Sequence, residues 1–314
     1  MKHFTPVKNY NEIVRWLNKN DNKARLLDDS VSTIFELSDT YDLKSITLQA
    51  SRLRNLSVWW HNYFLKELWD NTGDVSSSGA RMLDYKFLHV FLMTMRYDLL
   101  LRNEAEPRSN INYYTAYPLF CLLLTFNRWS EALWLGERIY RSQTDLCFGK
   151  NYVGKIFSGW PKDKEFAGYV IKLYLLIHEK LPPKDNVDNL PDLGLYSDLF
   201  ENWDDINKLS KTIVNVCDEY FLRTQSSMEK ELGLLEFDSY PYNCFPLTVL
   251  ALRSCRNKFG LETTLPSHPM LDSKFVINIP ENLPSVPDNI LKLIVSSARQ
   301  VFPDMPPVGI LREL

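Results

Sequence analysis

DLKSITLQASRLRNLSVWWHNYFLKELWD, residues 42–70, sets Leu43, Ile46, Ala50, Leu53, Trp60 and Phe64 at alternating three- and four-residue steps, broken at Ser57. That spacing places them on one face of a long helix. The stretch from Asn71 to Gly79 is then rich in turn and cap residues, and the helical stripe resumes through Leu83, Phe87, Val90, Met93, Tyr97 and Leu100. Two antiparallel helices, 42–70 and 80–101, are therefore expected.

The pattern continues outward. Tyr113–Phe126 and Ser130–Ser142 read as a second pair, because the short link Asn127-Arg128-Trp129 favours antiparallel neighbours. Lys164–Leu181 has helical spacing and is stopped by Pro182 and Pro183, which lack the amide proton a continuing helix needs. Leu193–Glu201 and Asp204–Thr224 form a further pair, followed by helices over Asn243–Phe259 and Pro287–Val301. Ser285 and Asp288 around Val286-Pro287 resemble an N-cap with proline in the first turn. One run, Lys274 to Ile279, reads as a strand, and the tail from Pro303 as extended chain. Two turns echo each other, Phe126 to Glu131 and Phe200 to Asp205, each joining an apolar helix to a second helix. The expected fold is all-α, antiparallel helix pairs in a layered or solenoid-like array. It forms a single helical domain over 1–314 with a soft subdivision at 182–191, separating 1–181 from 192–314.

Composition narrows the class. The chain has 314 residues, 45% of them hydrophobic and 24% charged, enough for one large or two medium cores and against large-scale disorder. The N-terminal MKHFTPVKNYNEIVRW turns polar before a signal-peptide core can form, which reads as a chain that is not exported by that route. Met82 to Leu101 has the length of a membrane span but carries Asp84, Lys86, His89, Arg96 and Asp98, so it reads as a buried helix of a soluble protein. Cys121, Cys147, Cys217, Cys244 and Cys255 are odd in number and form no CxxC pair, consistent with thiols in a reducing cytoplasm and with neither disulfides nor structural zinc.

No Gly-rich phosphate loop, HExxH, GxSxG or EF-hand spacing occurs. His178-Glu179 lacks a second histidine on its face to complete a zinc site. Cys147 beside Lys150 is the one exposed-looking thiol, without a histidine that can be assigned to it. His61 and His89 sit in apolar helical patterns and read as core histidines. Asp28-Asp29, Asp204-Asp205 and Asp218-Glu219 are adjacent acids, which on a helix point about 100° apart and do not converge on a substrate. Arg138, Arg141, Lys150, Lys155, Lys162 and Lys164 read as solvated charge, and nucleic acid and membrane are not expected partners. No catalytic residue, metal or cofactor is assigned, and the chain reads as a non-enzyme.

The charge distribution is lopsided. Residues 184–238 carry 13 acidic against 5 basic side chains, whereas the whole chain is only −3. Such a field raises encounter rates with a basic partner and says nothing about fold. The expected partner face comprises Asp198, Glu201, Asp204, Asp205, Asp218 and Glu219 as one acidic docking surface, with Tyr196 and Trp203 as aromatic anchors.

Phe245-Pro-Leu-Thr-Val-Leu-Ala-Leu-Arg253, then Gly260 and Ser267-His-Pro-Met-Leu271, resembles helical cytosolic immunity proteins of bacterial polymorphic-toxin systems. The resemblance covers about thirty residues. It implies binding to one cognate toxin, often a nuclease, and blocking it. His268-Pro269 in that stretch reads as a loop end, since proline holds the preceding residue extended. The reading is thus a non-catalytic protein-binding module, a cytoplasmic immunity protein or antitoxin that inhibits a basic toxin domain. A helical-repeat scaffold binding peptides, and a hydrolase whose site is assembled from distant residues, are the alternatives.

Overall fold

The structure is a computed structural model that describes residues 6–103, 113–141, 161–178, 193–228, 244 and 246–314, with the backbone alone described at 6, 113–114, 161–164 and 221–228. Cys147, Lys150, Lys155, Glu179 and the expected subdivision at 182–191 lie outside the described residues. The architecture is all-α, and the described residues contain no strand. They form two compact units, one from Ala116–Ile279 and one from Val7–Thr115 together with Pro280–Leu314.

In the unit of Val7–Thr115 and Pro280–Leu314, the chain opens with α1 (Pro6–Leu17), a short α2 (Asn20–Lys23), a π-helical turn over Ala24–Asp28, and α3 (Asp29–Glu36). The two long helices follow, α4 (Leu43–Asp70) and α5 (Val75–Arg102). Asp42 caps α4 by accepting the Ser45 N–H at 2.8 Å, and Asp74 caps α5 by accepting the Ser77 N–H at 3.1 Å. Asn71 ends α4 in the left-handed region at φ 53°, a position asparagine tolerates better than most residues. Each step back along α4 is matched by a step forward along α5. Glu67 accepts the Ser78 hydroxyl, Trp60 lies under Arg81, and the Ala50 carbonyl meets His89. That progression fixes the pair as antiparallel, as their spacing requires. A side chain at Gly79 would stand 2.8 Å from the Phe64 ring and 2.7 Å from Leu283, so glycine sets the closeness of this crossing.

Tyr10 stacks on Trp69 at 5.2 Å and donates to Asp70, which lays α1 along the C-terminal half of α4. Pro280–Leu314 closes the unit. Asp84, fully buried on α5, accepts the Ser285 hydroxyl at 3.1 Å and the Val286 N–H at 2.9 Å. Asp288 alone caps the helix over Asn289–Val301 by accepting the Leu291 N–H, so Pro287 precedes the cap and Ser285 serves Asp84 instead. The tail departs from extended chain as well, turning into a 3-10 helix at Gly309–Arg312.

In the Ala116–Ile279 unit, α6 (Tyr113–Thr125) is apolar on all sides, and Leu119, Phe120, Leu122, Leu123 and Leu124 are fully buried. It turns into α7 (Trp129–Arg141), and α8 (Pro161–Ile177) packs against α7. A 3-10 turn (Gly194–Tyr196) leads into the short α9 (Ser197–Glu201), α10 (Ile206–Met228) and α11 (Leu247–Lys258). Tyr169 of α8 donates to the Thr248 carbonyl at 2.6 Å, tying α8 to α11. Lys274–Ile277, expected as a strand, is a single helical turn, α12. Its Phe275 and Val276 are buried, and among the described residues there is no strand to form a ladder with it.

The two echoed turns differ in geometry. Asn127 is left-handed at φ 58° and Trp129, half-buried, begins a helix, whereas at the matching positions Glu201 is still helical and Trp203 is buried before its helix starts.

Candidate functional site

The acidic candidates stand on a turn built from buried aromatics. Leu199, Phe200 and Trp203 point inward, with Phe200 and Trp203 stacked at 6.4 Å, and Tyr196 packs on Tyr169 at 4.8 Å. Their inward direction leaves Asp198, Glu201 and Asp204 exposed and Asp205 half-buried. Tyr196 is 1% exposed and Trp203 3%, so neither can anchor a partner; both complete the core of their unit. The sequence marked them as aromatics in a polar segment, but their facing was set by α8 and α11, which the local pattern does not contain.

Asp205 accepts the N–H groups of Asn207 at 3.1 Å and Lys208 at 3.2 Å, in the manner of a helix cap for α10. The Lys208 amide, followed by its ammonium 3.5 Å away, holds the Asp205 carboxyl below the usual aspartate range. Asp218 lies 3.4 Å from the His268 Nε2. Because the Met270 N–H donates to His268 Nδ1, the proton of the neutral ring sits on Nε2 and is directed at Asp218. His268 is thus a turn residue that also steadies α10. Glu219 is exposed beside Asp218.

The six carboxylates do not form one surface. Thirteen residues of helix separate Asp205 from Asp218, about 20 Å of rise, beyond the ~8 Å over which exposed charges act at physiological salt. Exposed Lys208 and Lys211 lie between them. The expected continuous acidic face is therefore corrected to an acidic turn, Asp198–Asp205, and a separate Asp218–Glu219 pair. Next to the turn, the Phe259 ring meets Trp203 edge-on at 6.2 Å and is 40% exposed.

The other unit carries a feature that sequence reading missed. A cleft of about 330 Å³ is walled by Leu27, Phe35, Leu56 and Trp60 and has Arg81, Tyr85 and Asp288 at its polar end. Arg81 lies 4.6 Å over the Trp60 ring, and Tyr85 donates to Asp288. Burial, then the Asp288 charge, pushes the Tyr85 phenol far above its ordinary value. The residues come from four stretches of chain, the last some two hundred positions from the others, so no local motif announces the cleft.

The remaining titratable groups are structural in their settings. His61 on α4 and Lys86 on α5 are buried, and His89 on α5 is half-buried. Burial drives His61 well below its ordinary value, His89 to about 4 and Lys86 to about 7. His89 Nδ1 bonds the Ala50 carbonyl at 2.7 Å, as a core histidine should. Among the described residues Cys121, Cys217, Cys244 and Cys255 are buried and form no disulfide, and burial pushes the Cys217 thiol up to about 12. Arg141 pairs with Glu137 and Arg138 covers Trp134. Among the described residues no group of His, Cys, Asp or Glu is arranged to hold a metal ion, and no helix is long and apolar enough to cross a membrane.

Comparison of the chain with protein-family models, curated proteins and solved structures finds no match. The fold class, all-α in two compact units, is the level at which the molecule is placed.

Proposed function

We propose that the protein is a non-catalytic, cytoplasmic protein-binding module of the immunity-protein kind, whose acidic turn receives a basic toxin domain. The observation that carries this reading is the pairing of a rigid acidic turn with an exposed aromatic. Asp198, Glu201, Asp204 and Asp205 lie within eight residues on a base of buried Tyr196, Phe200 and Trp203, and Phe259 adjoins that base with 40% of its surface open. Like charges on a fixed support steer a cationic partner, while an aromatic that becomes desolvated lengthens the complex's lifetime. Phe259 thus takes the anchoring role first expected of Tyr196 and Trp203. The Asp218–Glu219 pair contributes only long-range attraction at low salt.

The test uses a partner that co-purifies with the full chain. The variant D198N/E201Q/D204N/D205N is expected to slow association and flatten its salt dependence, whereas Phe259→Ala speeds dissociation and leaves the salt dependence unchanged. Stoichiometry should be one to one. Identical association of the wild type and the fourfold variant at low salt refutes the reading, and binding of several unrelated peptides in its place favours a scaffold.

A further inference from the structure

We infer that the cleft at Trp60 and Arg81 is a binding site for a small carboxylic acid with an aromatic or branched-aliphatic body. It lies in the unit of Val7–Thr115 and Pro280–Leu314 and is independent of the acidic turn.

Arg81 carries the argument. Among the described residues it makes no hydrogen bond or ion pair, and its Nε–H is buried without an acceptor. It lies 4.6 Å over the Trp60 ring and shares the polar end of the cleft with Tyr85 and Asp288. A buried donor on a charged group left without an acceptor costs about 1–3 kcal/mol or more, and the guanidinium fork matches the two oxygens of a carboxylate. The nearest acid of the cleft does not fill that need: Asp288 Oδ1 accepts the Leu291 N–H at 2.9 Å and Oδ2 accepts the Tyr85 hydroxyl. The Asp288 charge is also offset by the helix start it caps.

The rest of the cleft fixes the body of the ligand. Leu27, Phe35, Leu56 and Trp60 give an apolar wall, and Phe35 remains 50% exposed at its edge. Leu27 is presented by the π-helical turn at Ala24–Asp28, a rare local geometry that inserts a residue and is frequent at functional sites. At about 330 Å³ the space is at the small end for ligand pockets, which suits a single ring or a short branched chain. A single arginine beside Asp288 favours a monoanion over a phosphate dianion.

The test is calorimetric titration of the full chain with phenylacetate and isovalerate, against phenylacetamide and inorganic phosphate. The acids are expected to bind and to raise the melting temperature. Phenylacetamide, phosphate and the Arg81→Met variant should each bind roughly ten- to a hundredfold more weakly, the loss of one charged hydrogen-bonding pair. Arg81→Lys, which keeps the charge without the fork, should fall between, and circular dichroism establishes that both variants are folded. Failure of both acids to bind the folded wild type, equal binding of acid and amide, phosphate binding as tight as phenylacetate, or unchanged affinity in folded Arg81→Met overturns the inference. Tighter binding of a peptide ending in phenylalanine than of phenylacetate overturns the assignment to a free small acid.

Discussion

Arg256 holds Trp203 twice: its guanidinium lies 5.5 Å from the indole centroid, and its Nη1–H donates to the Trp203 carbonyl. The same side chain donates from Nε to the Glu262 carbonyl at 2.9 Å, so one buried cation fixes both the acidic turn and the chain leaving α11. The acidic turn and the irregular chain after α11 are thereby pinned to a common post.

Replacing Arg256 with methionine keeps much of the apolar stem but leaves two carbonyls without their donor. A loss of about 2–4 kcal/mol in urea-unfolding free energy is expected. Arg256→Lys should recover less than half of it, because an ammonium cannot span both carbonyls in the same plane.

Gly136 of α7 faces the ring of Tyr174 on α8 and that of Phe120 on α6, and a Cβ there would stand 2.8 Å from Phe120 and closer still to Tyr174. Alanine improves helix propensity by about 0.8–1 kcal/mol, yet overpacking costs about 1–3 kcal/mol. Gly136→Ala is therefore expected to lower the melting temperature, and a rise would show that α8 yields without penalty.

Burial pulls Lys86 down from 10.5 to about 7. Between those values the unfolded chain holds a proton that the folded chain has released, so this group makes stability rise with pH from about 7 to 10.5 and leaves its full penalty in place below 7. In Lys86→Met that slope, up to about 1.4 kcal/mol per pH unit, should disappear. Parallel pH profiles of unfolding free energy for wild type and variant would contradict it.

Asp84 is a fully buried carboxylate that receives the Ser285 hydroxyl and the Val286 amide. Asp84→Ala should destabilise the protein by about 1–3 kcal/mol and accelerate hydrogen exchange at Val286 more than at the core amides of α5. Uniform acceleration would show that the effect is global and that Asp84 does not clamp this segment.

The hairpin of α4 and α5 was legible because its information is local: the stripe from Leu43 to Phe64 repeats with the helix period, and Asp42 and Asp74 act within three residues of themselves. Facing was less legible. Tyr196 and Trp203 sit among acids and suggest a surface, yet Tyr169 and Arg256, from helices distant in sequence, turn them inward. The alternation at Lys274–Ile279 suggested a strand, but a strand needs a neighbour, and none is described beside it. Likewise Arg81 has no local signal of its role. Its significance comes from Leu27, Trp60 and Asp288 meeting around it, a property of tertiary structure alone.

The discontinuous unit has a consequence for synthesis on the ribosome. Residues 7–115 emerge first, yet the Ser285 and Val286 donors to Asp84 and the Asp288 acceptor for Tyr85 arrive only after Ala116–Ile279 has been translated, on the order of ten to thirty seconds later at about 5–20 residues per second. During that interval the Asp84 carboxylate and the Tyr85 phenol of nascent α5 lack these partners and are left to water. A chain terminated before Pro280 would remain in that state.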